Sequence, residues 1–166
     1  MAMMEMMEPE PEAETLTLGY AEIVYTGVSL AEVGDAYAEQ ASREIAEKIN
    51  DALHAVLDAG LGFSISGYDV ALEGLTLDFS DVRAGSIIAR FKMVGTVLVT
   101  SYTLIAGYPS FKEAVPMIAE DVGKAIQYIL DRDPDPDRRA LNPEHFTLYF
   151  RDEDELLLEI SEKTES

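Results

Sequence analysis

The chain has 166 residues, 48% of them hydrophobic, which suits one domain with an ordinary packed core. Its 12 basic and 32 acidic residues give a formal net charge of −20, so nucleic-acid backbones and anionic membrane surfaces repel it. We therefore expect neither a nucleic-acid partner nor membrane association. The absence of cysteine excludes disulfides and thiolate chemistry, and it fits a soluble protein of the reducing cytoplasm.

The two ends of the chain are predicted to be acidic, disordered tails. Residues 1–14 are rich in Met, Glu and Pro, contain five acids and no base, and offer no apolar face to bury. They also lack the basic and leucine-rich regions of a secretory signal. We predict a single α+β domain over residues 15–161 and a second short tail over residues 162–166.

The first predicted element is a β-strand. The segment TLTLGYAEIVYTG alternates between apolar and other residues, with the period of two that a half-buried strand requires. On strict alternation, Leu16, Leu18 and Tyr20 should share one face of this strand.

A long amphipathic helix is predicted next, from a capping box formed by Ser29 and Glu32 to a stop at Gly60. A glycine followed by an aspartate at residues 34–35 is a point where its first turns can break. Apolar residues recur every three or four positions, and such a stripe usually packs across a sheet. The stripe consists of Leu30, Val33, Tyr37, Ala41, Ile45, Ile49, Leu53 and Val56.

Residues 63–106 are predicted to form three or four antiparallel strands, with Gly85, Gly95 and Gly107 marking the turns. The stretch 93–111 carries no charge and approaches the length of a membrane span. Its threonine, serine, glycine and β-branched residues favour core strands instead. An exposed oligomer surface is the remaining interpretation of this stretch.

A second helix is predicted to open at a capping box formed by Ser110 and Glu113. Pro116 requires either that the helix begins there or that it is kinked. The segments HFTLYF and ELLLEI then predict two strands around the acidic turn RDED. The fold class is thus α+β: an antiparallel sheet of about five to seven strands packed against one long and one shorter helix.

The segment DPDPDRRALNPE (133–144) matches the oxygen-donor positions of a calcium-binding loop. The glycine that the sharp turn needs is replaced by Arg138, which also brings positive charge to a cation site. A spacer between a helix and a strand explains the same letters, and we favour an acidic, proline-rich linker over residues 131–143. If a cofactor binds, it is calcium, held by Asp133, Asp135, Asp137 and Glu144.

No catalytic residues are assigned from the sequence. His54 and His145 lie far apart, and the sequence has no nucleophile elbow, zinc-protease motif or phosphate-binding loop. Asp78 and Asp81 could act as general acid and base at the end of a strand. Acids at such a boundary are more often turn formers, so the hydrolase hypothesis is secondary.

The favoured function is a non-enzymatic module that self-assembles or binds another protein, with a calcium-responsive domain or a small hydrolase as alternatives. Residues 61–109 contain four acids and three bases, so this third of the chain is nearly neutral within a molecule of charge −20. Low charge is what a contact surface requires, because buried unpaired charge is costly. The interface residues predicted on this basis are Thr96, Val97, Val99, Thr100 and Tyr102.

Overall fold

One antiparallel sheet organises the chain in the computed structural model, which describes residues 13–57, 61–65, 67–83, 86–99, 108–132 and 142–163. The elements are β1 (Ala13–Ser29), α1 (Leu30–Val33), α2 (Asp35–Val56), β2 (Leu61–Ile65), β3 (Tyr68–Arg83), β4 (Ser86–Val99), α3 (Phe111–Arg132), β5 (Asn142–Asp152) and β6 (Glu155–Lys163). Six strands pair in the order β2-β3-β4-β1-β5-β6. The α+β fold class predicted from the sequence is confirmed.

The two long helices, α2 and α3, pack against the sheet and against each other. α2 contacts β3 and β4, whereas α3 contacts β2, β5 and β6. Burying each large aliphatic or aromatic side chain between these layers contributes about 1.5–3 kcal/mol. The fully buried residues include Ile45, Ile49 and Leu53 of α2, Ile118, Val122 and Ile126 of α3, and Ile23, Leu77, Phe91, Phe146 and Phe150 of the strands.

The long helix predicted from Ser29 to Gly60 is interrupted near its start. Gly34 adopts a φ of 90°, which favours glycine, and it separates the four-residue α1 from α2. α2 ends at Val56 because Leu57 is extended, so α2 and α3 each have 22 residues instead of one being longer. The buried part of the predicted stripe is confirmed in α2, at Ala41, Ile45, Ile49 and Leu53.

The start of α3 agrees with the predicted cap. The hydroxyl of Ser110 accepts a hydrogen bond from the backbone N–H of Glu113 at 3.2 Å, which satisfies one of the free donors at the helix start. Pro116 lies inside the helix, which begins at Phe111. The alternative in which the helix starts at Pro116 is therefore wrong.

A β-bulge in β1 changes which side chains face the core. Thr17 pairs with Val94 of β4 but Gly19 pairs with Met93, so Leu18 is an extra residue in β1. Leu18 is fully buried, while Tyr20 lies on the opposite face of the sheet. The prediction that Leu18 and Tyr20 share a face is wrong, because the extra residue shifts the alternation by one position.

Glycine at position 19 is required by a close approach between neighbouring strands. A Cβ atom at Gly19 would lie 1.8 Å from the carbonyl oxygen of Tyr149 in β5. No side chain can be accommodated at that distance without separating the two backbones. Gly19 therefore permits the short distance between β1 and β5. It directly follows the bulge that changes which side chains of β1 face the core.

Gly95 marks close packing and not a turn. β4 runs through it without interruption, so residues 61–99 form three strands and the predicted break there is wrong. A Cβ at Gly95 would lie 3.1 Å from the side chains of both Leu18 and Leu72. The turn between β2 and β3 falls at Gly67, whose φ is 85°.

A side chain of α2 protects the part of β3 that β2 does not cover. β2 pairs with β3 only from Tyr68 to Leu72. Farther along, the side-chain oxygen of Asn50 accepts a hydrogen bond from the N–H of Leu77 at 2.7 Å, and its amide nitrogen donates to the carbonyl of Leu77 at 3.2 Å. Asn50 thus replaces a missing strand neighbour and attaches α2 to the sheet.

We expect Gly19→Ala to destabilise the fold by about 1–3 kcal/mol or more, because the new methyl group would overlap the backbone of β5. Urea denaturation monitored by circular dichroism measures this free energy. Gly74→Ala in β3 is the matched control, since no atom lies within 4 Å of its Cβ position. Equal losses in the two variants would contradict the close approach at Gly19.

We expect Asn50→Leu to lower the free energy of unfolding by about 1–3 kcal/mol, because both polar groups of Leu77 would lose their partner. Gln40→Leu is the control: Gln40 is exposed, and its hydrogen bond joins only the neighbouring turn of the same helix. That change should stay within about 0.5 kcal/mol of wild type. Hydrogen exchange at the Leu77 amide should accelerate only in the Asn50 variant.

Candidate functional site

The face of the sheet opposite the helices, called the open face below, is covered by no other element in the described ranges. Strand alternation places one residue in two on this face. Its side chains include Tyr20, Glu22 and Val24 of β1; Thr76, Asp78, Asp81 and Arg83 of β3; Ile88, Arg90, Lys92, Val94 and Thr96 of β4; His145, Thr147 and Tyr149 of β5; and Glu159, Ser161 and Lys163 of β6.

Opposite charges alternate across the strands of the open face. Arg90 in β4 is the register partner of Asp81 in β3 and of Glu22 in β1. One step along the strands, Lys92 is the register partner of Asp78. Cross-strand neighbours of opposite charge contribute roughly 0.2–1 kcal/mol each, so these rows help to fix the strand register.

Arg90 lies flat against an aromatic ring. Its guanidinium carbon is 4.2 Å from the centroid of the Tyr20 ring, a diagonal cross-strand contact with cation–π character. The Nε atom of Arg90 is buried and has no hydrogen-bond partner among the described residues. The arginine therefore adds flat, largely apolar area to the open face as well as charge.

Tyr149 joins this group from β5. It is the register partner of Tyr20, and its phenol lies close to the carboxylate of Glu22. Burial is the main cause that raises the pKa of the Tyr149 phenol, and the charges of Glu22 and Glu159 raise it further. Tyr149 is consequently a neutral hydrogen-bond donor at physiological pH.

Two hydroxyl groups continue the polar row to the edge of the sheet. The side-chain oxygens of Thr147 in β5 and Ser161 in β6 are 2.8 Å apart and form a hydrogen bond. Thr147 is almost fully buried and is also the register partner of Glu22. Polar side chains on the open face therefore form a row from β3 to β6.

The open face brings the two acids of the hydrolase hypothesis close to bases. Asp78 and Asp81 are both exposed, and a bulge after Phe79 puts them opposite Lys92 and Arg90. This arrangement favours a charge-pairing role for both residues.

Only one of the four calcium-loop positions lies in the described ranges. Glu144 is exposed in β5, which begins at Asn142, whereas a calcium-binding loop of this type leads into a helix. Asp133, Asp135 and Asp137 lie outside the described residues. Within the described residues, no group of three or more His, Asp or Glu side chains could hold a metal ion. Calcium binding stays a prediction.

Three of the five predicted interface residues lie in the described ranges, and the fold places them in different environments. Thr96 is exposed on the open face, but Val97 is buried in the core with 1% exposure and Val99 packs against the core. Thr100 and Tyr102 lie outside the described residues. Sequence reasoning missed the cluster Tyr20, Glu22, Arg90 and Tyr149, although charges inside otherwise apolar strands were a usable signal.

Comparison with protein-family models, with curated proteins and with solved structures found no match. Among the described helices, none is long and apolar enough to cross a membrane. The open face is therefore interpreted from its own geometry.

We expect Tyr149 to make the fold sensitive to alkaline pH. Because its pKa is raised above 10.0 in the folded state, the unfolded chain ionises first, and wild-type stability should fall as pH rises above 10. In Tyr149→Phe this part of the loss should be absent. Urea denaturation below and above pH 10 measures it, with Tyr68→Phe, at an exposed tyrosine, as the control that keeps the wild-type slope.

Proposed function

We propose that the protein is a non-enzymatic, cytoplasmic self-assembly module whose open face packs against the open face of a second copy. Two sheets can pack face to face at about 10 Å when their outward side chains interdigitate. A chain without cysteine does not depend on an oxidising compartment for its stability. The open face supplies the contact because the helices occupy the other side of the sheet.

The observation that carries the proposal is the charge balance of the open face. By strand register it holds five acids and five bases in the described strands, while the whole chain has a net charge of −20. A balanced face can be removed from water against its own copy without the repulsion that the rest of the surface would cause. The acids are Glu22, Asp69, Asp78, Asp81 and Glu159, and the bases are Arg83, Arg90, Lys92, Arg151 and Lys163.

Apolar area on the same face supports the proposal. Val24, Ile88 and Val94 are half-buried on the open face, beside the ring of Tyr20 and the stacked arginine. Tyrosine and arginine are enriched at the centres of protein interfaces. The contacts already made within the sheet plane hold these side chains in place before a second copy binds.

We expect Thr96→Lys to lower the oligomer mass, because it places a third base on the part of β4 that faces the second copy. Size-exclusion chromatography with light scattering measures the mass, and circular dichroism should be unchanged. Ala55→Lys adds the same charge on an exposed position of α2 and should leave the mass at the wild-type value.

Wild type that runs as an 18.3 kDa monomer at high concentration would overturn self-assembly. The open face would then be assigned to a different protein partner. An oligomer whose mass is insensitive to Thr96→Lys would instead place the contact elsewhere on the molecule.

A further inference from the structure

The two edges of the sheet are protected to different degrees. β2, at one edge, has five residues, and its Ser64 donates a backbone hydrogen bond to the carbonyl of Pro109 at 2.8 Å. β6, at the other edge, has nine residues, and in the described part of the chain no strand pairs with its outer side. An open edge of this length is a ready site for pairing with another strand.

An apolar groove of about 400 Å³ runs beside β6, below α3. Phe146, Leu148 and Ile160 form part of its lining, and Gly123 lies on its helical side. Gly123 is buried, yet no atom lies within 4 Å of the place where its Cβ would be. The subunit's own packing therefore leaves room at a mid-helix glycine next to the free edge.

The exposed surface of α3 carries a stripe with a symmetric pattern. Its members, at helical spacing, are Met117, Glu120, Lys124 and Tyr128. Met117 and Tyr128 are large apolar side chains exposed by 52% and 53%. Between them, Lys124 and Glu120 form an ion pair of 2.9 Å, and this pair raises the pKa of the lysine.

We propose that β6 and α3 form a two-fold contact with the same elements of a second copy. A two-fold axis near Val122 of α3 brings Glu120 beside Lys124 of the second copy, and the reverse pair forms by symmetry. The same operation brings Met117 close to Tyr128 of the second copy. An isologous interface requires this kind of self-complementary order, with opposite charges equidistant from the centre and apolar residues outside them.

The same axis fits β6. Antiparallel pairing of two β6 strands centred on Glu159 places Leu158 opposite Ile160 of the second copy, on the face of the sheet that the helices cover. The centre of the α3 contact, near Val122, lies beside the centre of the β6 contact at Glu159. The next residues along each element, Gly123 and Ile160, line one groove, and farther along Gln127 donates a hydrogen bond to the carbonyl of Lys163 at 3.4 Å. The same two-fold rotation can therefore relate both α3 and β6 to their copies in the second subunit.

The distances between elements are also compatible. Strands in a sheet lie about 4.8 Å apart, so a helix above the boundary of β5 and β6 stands roughly 10 Å from its copy across the axis. Helices pack at about 8–10 Å. Pairing of the edges would thus bring the two α3 helices into contact and would close both grooves.

One residue opposes the contact. Glu159 lies on the axis opposite Glu159 of the second copy, and like charges directly opposite each other destabilise a strand pair. The contact should therefore tighten when this charge is removed. Leu156, exposed by 50% at the start of β6, adds apolar area at the same edge.

This contact rests on the proposed function and extends it. The open face joins two copies, and the β6–α3 edge joins two such pairs. Two different isologous contacts with perpendicular axes generate a closed tetramer, the commonest arrangement after the simple dimer. In Thr96→Lys, only the edge contact should remain, and a dimer is expected.

The test is a charge swap at the α3 contact, made in the Thr96→Lys background and followed by sedimentation over a concentration series. Glu120→Lys and Lys124→Glu should each raise the dimer dissociation constant by about tenfold, since each makes two like-charge contacts across the axis. The two single variants change the net charge in opposite directions, so a general charge effect cannot weaken both. The double variant should return to within about threefold of the parent.

Two further variants complete the test. Glu159→Gln should lower the dissociation constant, and Lys48→Glu, on an exposed position of α2, should leave it unchanged. Melting curves check that each variant is folded. We expect melting temperatures close to that of the parent, because the exposed ion pair within α3 contributes little to folding stability.

Single variants that bind as tightly as the parent, or a double variant that does not recover, would overturn the edge contact. If wild type is a dimer and Thr96→Lys is a monomer, the edge contact would also be overturned, whereas the open-face contact would be supported. A wild-type monomer would overturn both contacts.

Discussion

The close approach of β1 to β5 at Gly19 is the constraint on which both faces of the sheet depend. β1 is a central strand, paired with β4 on one side and β5 on the other. At Gly19 its backbone comes so near to the Tyr149 carbonyl that no side chain fits, and the adjacent bulge inserts Leu18 into the core. From that point, Ala21 and Ile23 face the helices while Tyr20 and Glu22 face outward.

The side chains of the open face form a connected group only because three neighbouring strands, β4, β1 and β5, contribute to it. Glu22 lies close to the phenol of Tyr149 and opposite Arg90, whose guanidinium covers Tyr20. These side chains are held by one another, so little conformational entropy remains to be lost when a second surface covers them. A face organised in this way is suited to binding a matching surface, as the proposed self-assembly requires.

Patterns that depend on neighbouring residues were readable from the sequence. The stripe of α2 and the Ser110 cap both follow from local spacing, and with the alternating strand segments they indicate the α+β class. The bulge at Leu18 and the continuity of β4 through Gly95 depend on strands distant in sequence. Local composition cannot report such contacts, and this is why Tyr20 was assigned to the wrong face and Val97 to an interface.

The position of β1 in the chain has a consequence for biosynthesis. Its Ala21 pairs with Phe91 and with Leu148, so a strand made near the start must wait for partners roughly 70 and 130 residues later. A ribosome adds about 5–20 residues per second, which leaves both edges of β1 open for several seconds at least. Chaperone contact with the nascent chain should therefore concentrate on β1 and end when β5 emerges.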